Sequence, residues 1–182
     1  MASLLTVLAV GLSLTLAAAL PGGPLNPSAP PPARPPETVE AHLTASAFNW
    51  TIAPNVTIEV WGYNGQIPGP EIRLREGDTL RATLHNNLTE PTTIHWHGME
   101  VPASQDGVPG LSQDPVLPGA NYTYEFVAKH AGTFFYHSHY GEAEQVDRGL
   151  AGPLIVEPRG GLQGADREFV IVLDEWAVPE PA

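Results

Sequence analysis

Beyond residue 36 the chain is written in short segments that alternate apolar and polar positions. Val56-Thr-Ile-Glu-Val-Trp-Gly-Tyr63 alternates, and Thr79-Leu-Arg-Ala-Thr-Leu-His85 puts Leu80, Ala82 and Leu84 on one face. Tyr122-Thr-Tyr-Glu-Phe126 gathers Tyr122, Tyr124 and Phe126 in the same way. A period of two predicts strands with one wet face, because successive side chains leave a pleated backbone on opposite sides. The β-branched runs Leu154-Ile-Val-Glu157 and Phe169-Val-Ile-Val-Leu173 predict further strands. Pro68-Gly69-Pro70, Gly77-Asp78 and Pro118-Gly119 mark turns between them. After residue 37 no stretch carries the 3.6-residue period of an amphipathic helix, and no internal repeat is visible. Short strands at this spacing predict an all-β sandwich or Greek-key barrel.

The N-terminus is written differently. Leu4-Leu-Thr-Val-Leu-Ala-Val-Gly-Leu-Ser-Leu-Thr-Leu-Ala-Ala-Ala-Leu20 is one apolar run that ends in small residues, with Ala17 and Ala19 spaced as a cleavage site requires. Residues 1–20 therefore read as a signal peptide, although no Lys or Arg precedes the run. An uncleaved anchor is the alternative, since the run lies near the lower length limit for spanning a bilayer. In residues 21–36 half the positions are proline, which favours an extended, disordered linker over helix or ladder. The folded part is expected to begin near Glu37.

Charge and cysteine content narrow the chemistry. Twenty Asp and Glu against 8 Lys and Arg give a formal net charge of −12, a surface that repels phosphate backbones, so nucleic acid is not an expected partner. The chain has no cysteine, so it holds no disulfide and cannot by itself build a blue copper site, which needs a thiolate. Four sequons begin at Asn49, Asn55, Asn87 and Asn121; they read as ordinary turn and edge chemistry unless the host glycosylates.

The candidate chemistry lies in the histidines. Of seven, four form two His-x-His pairs, His95-Trp96-His97 and His137-Ser138-His139. On a strand, positions i and i+2 face the same way about 6–7 Å apart, so each pair presents two imidazoles side by side. Neutral imidazole suits copper and zinc. If the two strands are neighbours, four rings converge on one patch. Such a patch could hold one metal completely, or share its ligands among several metals that draw the rest from elsewhere. His42, His85 and His130 have no partner at ligand spacing.

Several motifs then fall in a familiar order: Tyr63-Asn-Gly-Gln-Ile-Pro-Gly-Pro70, Arg75-Glu-Gly-Asp78, Thr93-Ile-His-Trp-His-Gly98, Asp106-Gly107, Gly132-Thr-Phe-Phe-Tyr-His-Ser-His139 and Gly149-Leu-Ala-Gly-Pro-Leu-Ile-Val156. Over about residues 45–176 the chain resembles the N-terminal domain of multicopper oxidases of the laccase and copper-resistance type. The resemblance implies a cupredoxin-like Greek-key β-sandwich over 37–160 without a type 1 copper, followed at 161–182 by the start of a truncated second domain. It implies that His95 ligates a type 2 copper and that His97, His137 and His139 ligate a pair of type 3 coppers, half the ligands of a trinuclear copper cluster. Trp96 and Ser138 would point away from the metal. Asp106 matches an acidic residue that the family uses to manage protons; read alone, it is a turn residue in Gln105-Asp106-Gly107.

The function implied is one-electron oxidation of a reducing substrate coupled to reduction of dioxygen to water. In the family a last domain supplies four more histidines and a His-Cys-His stretch, and this sequence contains neither. The chain is thus expected to be an incomplete, inactive fragment that needs a C-terminal cupredoxin domain, in cis or in trans. The identity of the reducing substrate is not legible. The alternative is a non-catalytic periplasmic copper-binding or carrier module. A copper nitrite reductase would carry Cys where Ser138 stands, and the other ligands of a superoxide dismutase have no match. Export to the periplasm or exterior, with no membrane attachment after cleavage, completes the expectation.

Overall fold

A computed structural model describes residues 6–12, 34–161 and 166–177. Ten strands occur among these residues: β1 Thr6–Leu12, β2 Thr38–Ala53, β3 Val56–Tyr63, β4 Ile72–Arg75, β5 Thr79–Asn86, β6 His95–His97, β7 Asn121–Val127, β8 Gly132–His137, β9 Ala151–Glu157 and β10 Ile171–Ala177. They form two four-stranded sheets, ordered β3-β2-β5-β7 and β4-β9-β8-β6, and a separate β1-β10 pair. The chain is nearly all β, as the alternation predicts, with the core between the two sheets.

The alternating positions fill that core. Leu80, Ala82 and Leu84 of β5 are buried, as are Tyr124 and Phe126 of β7 beside them. From the second sheet come Leu74, Trp96, Tyr136, Leu154 and Val156. Each fully buried aliphatic side chain contributes roughly 1.5–3 kcal/mol. Strand β2 is long enough to serve two neighbours. Its first half runs parallel to β5, from Thr38 opposite Thr79 to Ala45 opposite Asn86, and its second half runs antiparallel to β3.

The structure departs from the pattern in three places. A six-residue helix, α1 Glu142–Asp147, follows the second histidine motif; it is too short to carry a visible amphipathic period. The described residues also include Arg34–Pro36, ahead of Glu37. Arg34, inside the proline-rich stretch, sends its guanidinium to both oxygens of Asp78 at 3.0 and 2.6 Å. Asp78 also accepts the backbone N–H groups of Glu37 and Arg75, which closes the Gly77-Asp78 turn around one carboxylate. Residues 21–33 lie outside the described residues.

The third departure concerns the strand predicted at Phe169–Leu173. The strand forms two residues later, as β10, and pairs antiparallel with β1, Leu12 opposite Ile171 and Thr6 opposite Ala177. An unpaired strand edge is a row of free N–H and C=O groups, and another β-forming segment satisfies it. The rest of residues 1–20 lies outside the described residues. From β10, Trp176 is buried edge-on against Trp50, with ring centroids 5.4 Å apart. Among the described residues no helix is long and apolar enough to cross a membrane.

Candidate metal centre

The two histidine motifs meet because β6 and β8 are adjacent and antiparallel, with His95 opposite His137, Trp96 opposite Tyr136 and His97 opposite Phe135. This register sends His95, His97, Phe135 and His137 to one face. Trp96 and Tyr136 go to the other, where Trp96 packs edge-on against Tyr124 and Phe126 of the opposite sheet. Apolar packing of the inner face thus fixes which way the imidazoles point.

Hydrogen bonds then fix the rings. The Nδ1 of His95 lies 2.7 Å from the carbonyl oxygen of Asp106, which can only accept, so Nδ1 carries the proton and Nε2 the lone pair. The same reasoning applies to His137, whose Nδ1 donates to the Ser138 carbonyl at 2.8 Å. Its Nε2 is therefore an acceptor, and His97 donates to it from Nδ1 at 3.1 Å. A cation taking up the His137 Nε2 lone pair displaces that bond. Ligand nitrogens of His95, His97 and His137 all lie within 4.8 Å of one another. His139 stands just past the end of β8, its ring 5.2 Å from that of His95 and nearly parallel to that of His137. Converging imidazoles, two of them pre-oriented by bonds at the far nitrogen, are the arrangement that holds a transition metal.

The surroundings are part apolar and part open. Phe135 stacks on the His97 ring at 4.4 Å and on the His137 ring at 5.1 Å. Beside them lies an open hollow of about 410 Å³ lined by His97, Phe135, His137, Ala143, Val146 and Asp147. Asp106 lies in a turn beside the first motif. It ends the short 3₁₀ turn Ala103–Gln105, and its carboxylate reaches to 3.3 Å from His95. Gly107 follows with a positive φ of 75°, and a Cβ there would run into the Ile94 carbonyl. Only glycine allows the Asp106 backbone to lie this close to the first motif.

The other three histidines lie apart. His42 is exposed, His85 bonds Asn121 across the other sheet, and His130 pairs with Glu100. Sequence reasoning passed over Phe135, Thr92 and Gln145. Thr92 and Gln145 lie buried behind the motifs, and nothing in their spacing marks them.

Comparison with known proteins agrees with this geometry. The family profile described as "Multicopper oxidase" matches residues 44–161. The chain belongs to the multicopper oxidase family. Among curated members, the Copper resistance protein A homolog of Pseudomonas syringae pv. tomato is 47% identical over 120 residues, which cover 65% of this chain and 20% of that protein. Copper resistance protein A of Escherichia coli is 42% identical over 150 residues, covering 79% of this chain and 24% of that protein. A solved multi-copper oxidase from Pseudomonas thermotolerans superposes with a TM-score of 0.66 at 48% identity, over 67% of this chain and 30% of its own. The chain thus spans 20–24% of the length of these two curated multicopper oxidases.

Proposed function

We propose that this chain supplies half the ligands of a trinuclear copper centre in an oxidase that couples one-electron oxidation of a substrate to reduction of dioxygen to water. His95 would hold the type 2 copper, and His97, His137 and His139 the type 3 pair. The observation that carries the reading is the β6–β8 register, which brings both His-x-His motifs to one open face. Copper, when bound, supplies the one-electron chemistry. The chain's own part is to aim the imidazoles, with His95 and His137 held through the Asp106 and Ser138 carbonyls. The Asp106 carboxylate, beside His95 and part exposed, would pass protons toward the site. The remaining ligands and the electron entry site would come from a further cupredoxin domain, in cis or in trans, seated over the open hollow. Residues 161–182 would begin the next domain. Residues 1–20 would direct export to the periplasm or exterior, with 21–36 as linker.

A second reading has one observation in its favour. Three ligand nitrogens within 4.8 Å of one another could hold a single ion without help, as a copper carrier would. Copper(II) titration of the purified chain, followed by electron spin resonance, separates the two. The half-site reading expects weak, heterogeneous binding that is lost in His137→Ala, with no turnover of phenols or Cu(I). One tight site supports the carrier. Oxidase turnover by this chain alone would overturn the half-site reading.

A further inference from the structure

Behind the histidines, on the side away from the hollow, lies a buried polar cluster centred on one amide. Gln145 of α1 is 1% exposed. Its Oε1 accepts from the Thr92 hydroxyl at 2.8 Å and from the Ser138 hydroxyl at 2.6 Å. Its Nε2 donates to the Pro91 carbonyl at 2.9 Å. That carbonyl can only accept, so the amide cannot be turned round, and both hydroxyl protons go to Oε1. The backbone closes the circuit: Ser138 N–H donates to the Leu150 carbonyl, and Leu150 N–H donates to the Gln145 carbonyl. On the first-motif side, Thr93 Oγ1 accepts the backbone N–H of His139 at 3.3 Å.

The position of these contacts is what matters. Pro91 and Thr92 lead into His95-Trp96-His97, and Ser138 is the middle residue of His137-Ser138-His139. One side chain therefore ties the approach to the first motif to the centre of the second. The β6–β8 ladder is only three pairs long and ends at His95 opposite His137. His139 lies beyond that end, where its backbone N–H donates to Thr93 of the first-motif approach.

We propose that Gln145 is a positioning residue that locks the two histidine motifs against each other, and that the metal affinity of the site depends on it. The proposal rests on the copper reading above. Buried amides are held where every polar atom has a partner, because an unpartnered one is costly. Here those partners are segments that carry ligands, so removing the amide releases the ligands as well as the helix.

The test uses the full chain and two readouts. The first is copper(II) affinity. The second is the ring-nitrogen correlation spectrum of the histidines without metal, which reports tautomer and ring order. Gln145→Leu keeps the size and removes the clamp. The expected result is a loss of roughly 10–100-fold in affinity, together with averaged or shifted ring signals for His137 and His139. Gln145→Glu, which keeps an acceptor for both hydroxyls but sets an oxygen against the Pro91 carbonyl, is expected to recover only part of the affinity. Leu84→Ala, a buried change in the other sheet, is expected to lower the melting temperature and leave both readouts in place. Unchanged affinity and unchanged ring signals in folded Gln145→Leu overturn the proposal. Should Gln145→Leu fail to fold, Thr92→Val carries the test: altered His137 and His139 ring signals with several-fold weaker binding support the clamp, and unchanged values overturn it. If the wild-type chain binds no copper at all, the copper reading falls, while the metal-free spectra still decide whether Gln145 orders the rings.

Discussion

The two four-stranded sheets follow the same alternation and bury the same kind of inner face, yet their outer faces have become different things. On the first sheet the outward positions neutralise one another across strands: Thr83 with Thr123 at 3.1 Å, Arg81 with Glu125 at 2.7 Å, His85 with Asn121 at 2.7 Å. These pairs are complete, and cross-strand pairs of this type contribute about 0.2–1 kcal/mol each. On the second sheet the outward positions of β6 and β8 are imidazoles and a phenyl ring, with hydrogen bonds at their far nitrogens and an open hollow in front. On the first sheet His85 bonds an amide across the strands, with no second imidazole beside it at ligand spacing among the described residues. On the second sheet His95, His97 and His137 crowd one another with ligand nitrogens within 4.8 Å, and the His139 ring stands 5.2 Å from that of His95. What separates a surface from a site here is how many donors of one type converge, and what pins them from behind.

Four changes would break or sharpen that contrast. The largest effect is expected at the core the sheets share. Trp96 is buried between Tyr124 and Phe126 of one sheet and Tyr136 of the other. Trp96→Ala is expected to cost about 3–5 kcal/mol in denaturant unfolding, and a loss below about 1 kcal/mol would show that the two layers do not depend on it. Next, Gly107→Ala puts a Cβ against the Ile94 carbonyl at a left-handed backbone position. A cost of about 1–3 kcal/mol is expected, along with weaker copper binding as the Asp106 carbonyl leaves His95. A stability loss with copper binding intact would separate that turn from the site.

A smaller effect is expected at the chain entry. Burial opposes ionisation of Asp78, but Arg34 and the backbone N–H groups of Glu37 and Arg75 outweigh it and hold the carboxyl below its ordinary range. The folded value is depressed, so this stabilisation is fully present above about pH 4 and is lost as pH falls through the folded value. Urea midpoints of the wild type should therefore fall more steeply below about pH 4 than those of Arg34→Ala; parallel curves would sink the assignment. The smallest effect is expected on the first sheet's outer face. Thr83→Val should change stability by no more than about 0.5 kcal/mol and leave copper affinity unchanged. A change in affinity there would mean that the two faces are coupled.

Much of this was legible in the sequence, and the limits of legibility have a physical cause. The β3 strand at Val56–Tyr63 and the buried trio of Leu80, Ala82 and Leu84 follow from alternation, whereas the pairing of β6 with β8 does not. The helix α1 escaped notice because six residues do not complete two turns. Arg34 escaped because its partner, Asp78, is 44 residues away and proline-rich composition hides a single anchoring side chain. Gln145 escaped for the same reason: its partners Thr92 and Ser138 are 53 and 7 residues away, and none of the three sits at a telling spacing.

The sequence by itself determined the class of fold, the inward face of β5 and β7, and the two His-x-His motifs as the candidate chemistry. Those are local properties, set by a two-residue period and by chemical type. The tertiary structure alone decided that His95 stands opposite His137, that the Asp106 and Ser138 carbonyls choose the tautomers, and that one buried amide spans both motifs. Each of those depends on groups far apart in the chain, and hydrogen bonds of about 3 Å are settled only once the sheets have closed around their core.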